Sequence, residues 1–579
     1  MTLARRVGPS SRWIAPPAET DARAAELVAG LPGLPEPLAR ILAARGMTDP
    51  SAVRAFLRPS FDGLHDPFLL PDMESAVDRL FAAVEADETV LVHGDYDADG
   101  MCATALAVRG LRRLGARAVP FVPHRTNDGY DLRPAGVAHA VAGGAGVILT
   151  VDCGVTAVEA AAEARRHGID LVITDHHRPG LELPDATAVV DPLRVDATYP
   201  FRGLAGVGVA FKLIDALFRR AGIPRAELNQ HLDLVAVGTV ADQMPLTDEN
   251  RILVRAGLRA LARTRKPGLR ALLGRARIDP RRPIEGEDIA FRLAPRLNSV
   301  GRMAAGSTGA ELLLTDDPAR AGDLAARLDE LNATRRMTDR EVTGHVEKAL
   351  EERFDSDADR AVVVWGDDWH RGVLGIVASR MVERWHRPAV VISFDGDVGE
   401  GSGRSVKGFH LHDALRDCAP LLEGFGGHQM AAGLRIRRER VEEFAVRLRE
   451  LAGARLDTRH ERAALSIDLE LPLSEVTAEL GATLAHLAPH GPGNPSPVLA
   501  VRGVRLEHPA VVGSGAAHLR ATLREGEASL RAIGFGLGDR SGDLRPDDRF
   551  DVAFQLERDS WRGRERLQAR VLDFRSVPP

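Results

Sequence analysis

Cysteine is almost missing from these 579 residues. Only Cys102, Cys153 and Cys418 occur, far apart and at no zinc spacing, which excludes a disulfide framework and a zinc finger. Aromatic residues make up 4 % of the chain, so any surface for stacking bases must be small. Lysine is scarce and the formal net charge is −6, so the protein is not coated in positive charge. A local basic channel is still allowed, because net charge says nothing about distribution. No apolar run approaches membrane-spanning length, and the opening stretch MTLARRVGPSSRWIAPPAE has no apolar core of signal-peptide type. These absences predict a soluble, cytoplasmic protein with no membrane role.

What is present is length enough for three or four domains, and 44 % hydrophobic residues to fill their cores. Residues 1–70 read as a Pro-punctuated helical lead-in, with PEPLARILAARG and DPSAVRAFLRPS as helices. From 71 to 250 strands alternate with helices. The strand candidates are Thr89–Val92, Ala118–Val122, Gly146–Val151, Leu171–Thr174 and Ala188–Val190, which predicts a parallel, doubly wound sheet. Residues 251–355 have long amphipathic periodicity and predict a helical connector, while 356–458 return to an α/β pattern with strands at Ala361–Trp365 and Ala389–Ser393. From 459 to 579 short strands alternate with Gly/Asp turns, the pattern of a small barrel of OB type.

The chemistry concentrates at the ends of the first strands. LVHGDYDADGMCATALAV places His93, Asp95, Asp97 and Asp99 between a strand and a helix, where open α/β sheets put their ligand sites. Taken alone, the acids fit either a divalent cation or a helix N-cap cluster. The next strand ends in Asp152 and Cys153, and the one after it in Asp175, His176 and His177. LDLVAVGTVADQMPL delivers Asp242 from a segment that is helix or strand. Acids and imidazoles at successive strand ends predict a two-metal site. Oxygen with nitrogen donors suits two Mn²⁺ or Mg²⁺ ions more than zinc, and such a pair serves phosphoryl chemistry.

HGDYDADG, VDCG, DHH and VADQMPL, in that order, resemble the four motifs of the DHH phosphoesterase superfamily. FVPHRTNDGYDL, RLAPRLNSVGRM, GVLGIVASR, GSGRS, FGGHQMAAGL and APHGPGNPSPVL resemble the RecJ exonucleases within it. The resemblance implies one metal on Asp97, Asp152 and His93, and another on Asp99, Asp152, His176 and Asp242. It places His177 on the reacting phosphate, so Asp152, His176 and His177 form the catalytic set, with Asp95 and Asp175 as supporting groups. The implied substrate contacts are Arg125, then Arg296, Asn298 and Arg302 in a Gly-punctuated loop, then Ser402 and Arg404 in a Gly/Ser turn, and His428. His410 and His412 are read as part of a helix start, not a metal site.

The implied architecture is a DHH catalytic lobe and a DHH-associated nucleic-acid-binding lobe, joined by a long helix around a cleft, plus a C-terminal OB-type barrel. In the barrel Trp561 is the stacking candidate, while Phe535, Phe550 and Phe554 read as core. The implied function is a single-stranded-DNA-specific 5′→3′ exonuclease of recombination and repair. It would release 5′-mononucleotides and work as a monomer, with single-strand-binding protein as partner. Two rivals are a DHH-type phosphodiesterase for short oligonucleotides and a catalytically silent DNA-binding scaffold.

Overall fold

The structure, a computed structural model, describes residues 11–123, 131–303, 306–456, 464–545, 548–561 and 564–577. It divides into two compact units: Arg54–Arg335 with Leu487–Pro495, and Met1–Val53 with Arg336–His486 and Ser496–Pro579.

The first unit is built on five parallel strands: β1 (Thr89–Gly94), β2 (Arg117–Phe121), β3 (Ala145–Val151), β4 (Asp170–Thr174) and β5 (Ala188–Val190). Their order across the sheet is β2-β1-β3-β4-β5. In this order the chain turns back between β1 and β3, so the loops leaving those two strands splay apart and open a crevice at their carboxyl ends. The acids of DYDADG leave β1 and Asp152 leaves β3, so the topology alone aims them at one place.

Both faces of the sheet are covered, as a parallel sheet requires. Val90 and Val92 face the larger core, while Leu91 faces a smaller one. Over the sheet pack α1 (Ala98–Arg113), α2 (Pro134–Ala142), α3 (Val158–Arg166) and α4 (Gly206–Arg220), and α5 (Leu232–Ala241) packs on α1 and α4. LDLVAVGTVA is therefore helix; every residue from Leu232 to Val240 is buried, which erased the periodicity that would have shown it.

The helices after Asp248 do not stand apart as a connector. The larger core runs on through Leu253, Leu297 and Leu328 to Leu331. α6 (Asp248–Ala262) contributes Arg251, which is 2 % exposed and donates to the carbonyls of Phe56 and Ala488 at 2.8 and 3.1 Å. Leu487–Pro495, a piece of the predicted barrel domain, thus straps onto the first unit, where Leu246 also donates to the Pro492 carbonyl at 2.7 Å.

RLAPRLNSVGRM is not a loop. It forms α7 (Ala294–Met303), preceded by a π turn at Ile289–Leu293. Pro295 has no N–H for the carbonyl one turn back, and the wider turn accommodates its ring. Helix α8 (Pro318–Arg353) follows, with the Asp317 carboxylate accepting from the Ala319 N–H at 2.9 Å.

The second unit contains β6 (Val362–Asp367), α9 (Leu374–Trp385), β7 (Ala389–Asp395), β8 (Val398–Arg404), β9 (Gly424–Gly427) and β10 (Ala431–Arg437). The sheet order is β9-β10-β8-β7-β6, with only β6 and β7 parallel. GEGSGRS is the body of β8, not a turn, because both its neighbours pair with it along its length. His410 caps a short helix by accepting from the Asp413 N–H at 3.3 Å, as the helix-start reading expected.

The barrel strands are β11 (Leu499–Val512), β12 (His518–Glu525), β13 (Ala528–Gly534), β14 (Phe550–Trp561) and β15 (Arg564–Ser576). They run β11-β12-β13-β15-β14, and β14 pairs back on a bulged β11 to close the ring, which is OB connectivity. Near the N-terminus, Arg12–Ile14 pairs with Ala464–Ser466 in this same unit. Phe550 and Phe554 are core, but Phe535 is 54 % exposed. The side chain of Trp561 lies outside the described residues. Among the described residues no helix is long and apolar enough to cross a membrane.

Candidate active site

Asp97 is the N-cap of α1: one of its oxygens accepts from the N–H groups of Asp99 and Gly100 at 2.8 and 3.0 Å. The N-cap and metal readings are therefore not alternatives, because one carboxylate has oxygens for both. Asp99 is buried against the start of α4, where it accepts from the N–H groups of Gly206 and Val207 at 2.8 and 3.1 Å. A helix N-terminus is where a buried anion is least costly. Burial and the neighbouring Asp242 charge still push Asp99 up to about 7.

Asp152 follows β3 with φ of 65°, a left-handed conformation uncommon for a residue with a side chain. Its N–H holds the Thr174 carbonyl at 3.0 Å, so the turn is anchored to β4. A Cβ on Gly206 would stand 2.2 Å from Asp152 Oδ1, and one on Gly238 would stand 2.4 Å from Asp99 Oδ1. Glycine at 206 and 238 is thus the space these two carboxylates occupy. Burial, followed by the charge of Asp99, raises Asp152 well above the usual carboxylate range.

His176 shows how well these residues fit a cation. Its Nδ1 is 3.1 Å from the Leu204 carbonyl, which has no proton to give, so Nδ1 carries the hydrogen. Burial lowers its basicity and keeps the ring neutral. Nε2 then presents a lone pair to Asp152 Oδ1 at 3.0 Å and Asp242 Oδ2 at 3.7 Å. His176 Nε2, Asp152 Oδ1 and Asp95 Oδ1 are all buried without a hydrogen-bond partner. Lone pairs facing carboxylate oxygens repel unless a cation lies between them, and oxygen with imidazole donors fits Mn²⁺ or Mg²⁺.

Three overlapping groups have donor atoms within 4.8 Å of one another: Asp99, His176 and Asp242; Asp95, Asp97 and Asp152; Asp152, His176 and His177. Asp99, His176 and Asp242 of the second expected set are thereby brought together, and Asp152, the fourth, approaches His176 at 3.0 Å and belongs to both other groups. In the first, Asp95 stands where His93 was expected. Alternation along β1 explains it. His93 shares a face with Leu91, toward the smaller core, and its Nδ1 is 3.6 Å from Cys153 Sγ. Asp95 lies beyond the strand end and turns inward; burial and Asp97 raise its pKa.

Asp175 is fully used as an orienting group. It accepts from the N–H groups of Val155, His176 and His177 at 2.9, 2.7 and 3.1 Å, and sits 2.8 Å from His177 Nδ1. Burial disfavours charge on His177, but the hydrogen bond and charge of Asp175 outweigh it and raise His177 to about 9. His177 opens onto a cavity of about 240 Å³ with Asp95, Tyr96, Asp97, Asn298, Gly301 and Arg302. Asn298 Oδ1 accepts from the Ala98 N–H at 2.7 Å, which ties α7 to the start of α1. Asn298 and Arg302, four residues apart, share a helix face. Arg296 does not join them: it pairs with Asp329 at 2.8 Å and donates to backbone carbonyls.

Arg125 lies outside the described residues. In the other unit Ser402 and Arg404 sit together on β8, beneath the start of α9. Arg404 donates to Ser402 Oγ and the Gly403 carbonyl at 3.3 and 2.8 Å, and a Cβ on Gly375 would stand 2.8 Å from its guanidinium. Its charge is half-buried without a carboxylate partner among the described residues, and burial lowers its pKa. His428 is exposed at the β9–β10 hairpin. Sequence reasoning passed over Gly206, Gly238 and Tyr96. The signal for the first was LAGVGVA, a glycine-spaced start to an apolar helix.

Three family descriptions match the chain: "DHH family, N-terminal domain" over residues 89–239, "DHHA1 domain" over 358–454 and "RecJ OB domain" over 467–573. Single-stranded-DNA-specific exonuclease RecJ of Dickeya dadantii is 39 % identical over 96 % of this chain and 97 % of that protein. The chain belongs to the RecJ family. The Escherichia coli RecJ is 37 % identical, with 94 % and 96 % covered. The crystal structure of Thermus thermophilus RecJ in complex with Mn²⁺ superposes with a TM-score of 0.83 at 31 % identity, covering 98 % of this chain and 80 % of that one.

Proposed function

We propose that this RecJ-family chain is a metal-dependent exonuclease that hydrolyses single-stranded DNA from the 5′ end and releases 5′-mononucleotides, serving recombination and repair. The observation that carries the reading is Asp152, shared between donor groups and held in a left-handed turn by β4 and Gly206. Asp95, Asp97 and Asp152 would hold one Mn²⁺ or Mg²⁺, and Asp99, Asp152, His176 and Asp242 the other. Such a pair, when bound, supplies a water acidic enough to attack phosphorus and a counter-charge for the leaving oxygen.

The chain's own groups do the rest. His177, kept protonated by Asp175, donates to a phosphoryl oxygen where negative charge grows. Arg302 and the Asn298 amide fix that phosphate in the cavity, and the hydrogen bond to Ala98 orients Asn298. Ser402 and Arg404 are assigned to the terminal 5′-phosphate, which carries more charge than an internal one. The barrel holds the strand. A monomeric state, a cytoplasmic location and docking of single-strand-binding protein go with this reading.

An end-labelled single strand, incubated with Mn²⁺ or Mg²⁺ and sampled in time, tests it. A 5′ label should leave as a mononucleotide at once, while a 3′ label shortens gradually and a blunt duplex persists. Release of the 3′ label first would reverse the polarity. Degradation confined to strands of a few nucleotides would favour the short-oligonucleotide phosphodiesterase.

A further inference from the structure

One aromatic cluster beside the strand ends takes no part in the assignments above. Phe121 closes β2 and is the register partner of His93 on β1. Its ring lies 5.3 Å from the His93 ring and stacks on His139 of α2, at 4.4 Å and 30° between planes. The three rings grade outward: His93 is buried, Phe121 half-buried and His139 exposed.

Core packing asks for less than this. Phe121 rests on the smaller core, a role any large aliphatic side chain could fill. It does not require an exposed imidazole laid nearly flat on the phenyl ring. A flat aromatic pair, open to solvent at the carboxyl-terminal edge of the sheet, has the shape and polarisability on which a nucleobase stacks. In a chain with 4 % aromatics such a pair is not background. Its Phe121 closes β2, the strand that pairs with β1, from whose carboxyl end the acids leave.

We infer that Phe121 and His139 form a base-stacking step beside the metal-binding acids, holding one base of the strand near the phosphate under attack. The inference rests on the nuclease reading above. Stacking on a π face accepts every base, so the step aligns the strand without reading its sequence.

The test uses 5′-phosphorylated single strands, one intact and others carrying a single abasic residue at successive positions from the 5′ end. Wild-type protein should show KM raised about five- to tenfold when the abasic residue falls at one particular position. Phe121→Leu keeps the apolar bulk and loses the π face. It should raise KM on the intact strand by the same factor, leave kcat within about twofold, and be indifferent to the abasic residue at that position. Phe121→Trp should restore the wild-type profile. His139→Ala removes the exposed ring, has no core role and should give a shift of the same kind and at least the same size, which keeps the idea testable if Phe121→Leu folds poorly. A flat abasic profile for wild type, or a Leu variant still sensitive at that position, overturns the inference. Failure of the nuclease reading would look different: wild type would not degrade the intact strand at all.

Discussion

Asp152 combines three constraints that no neighbour could relieve: a left-handed backbone, an anchor to β4 and contact with Gly206. Asp152→Ala should therefore lose at least about a hundredfold in cleavage while keeping its fold. Gly206→Ala, which removes no ligand, should lose about as much, because its methyl would occupy the Asp152 carboxylate position. Mn²⁺ titration calorimetry on both variants checks this; full affinity in Gly206→Ala would dismiss the cradle. Arg404→Ala tests the end contact. It should lose about ten- to a hundredfold on 5′-phosphorylated strands and much less on 5′-hydroxyl strands. Equal losses would make Arg404 an internal-phosphate contact. Asp191, at the end of β5, is wholly buried with one oxygen lacking a partner, and burial raises it to about 8. A carboxyl raised on folding contributes stability below its unfolded pKa that is lost as pH climbs through the folded one. The melting temperature of Asp191→Asn minus that of wild type should thus grow from about pH 4 to 8 and then level. A constant difference would mean that Asp191 ionises normally. Asp152 was legible as a strand-end residue, whereas Asp191 was not singled out. That either carries a partnerless buried oxygen was not legible, because it depends on groups tens of residues away.

Among elements, α4 is the one that site geometry depends on, since its first N–H groups hold Asp99. It is secured further along by Lys212, wholly buried and paired with an equally buried Glu249 of α6. Tyr199 donates to the same carboxylate at 2.6 Å, and Lys212 reaches the His65 carbonyl at 2.7 Å. Glu249→Gln leaves a buried ammonium without its counter-charge and should destabilise the first unit by about 3–5 kcal/mol. Adding Lys212→Met should recover part of that loss. Urea unfolding of the single and double variants decides it; strictly additive losses would mean that the pair does not couple. The strands of the first sheet were readable from their apolar runs because burial on both faces leaves few polar residues in them. Helix α5 was not, since burial all round removes the alternation that distinguishes helix from strand. The loop expected at Arg296–Arg302 failed for another reason: its glycine read as a break, whereas the helix runs on through Gly301 to Met303.

At the scale of the molecule, the strap Leu487–Pro495 ties the far end of the chain into the catalytic unit through Arg251 and Leu246. A chain ending at residue 459 loses the strap as well as the barrel. It should melt several degrees below one ending at 495, at about 2–4 °C for each kcal/mol lost. Coincident melts would mean that the strap contributes nothing. By itself the sequence determined the metal-binding residue types, the strand-end placement of the acids and the order of the domains, since these follow from residue type and local periodicity, while the family followed from the resemblance of whole motifs. Only the tertiary structure decided that Asp95 and not His93 joins the carboxylates, that Arg296 is taken up by Asp329, that Phe535 faces solvent, and that a segment of the tail completes the first unit. Each of these is a contact between residues distant in the chain, and a local pattern records which face a side chain takes but not what waits on that face.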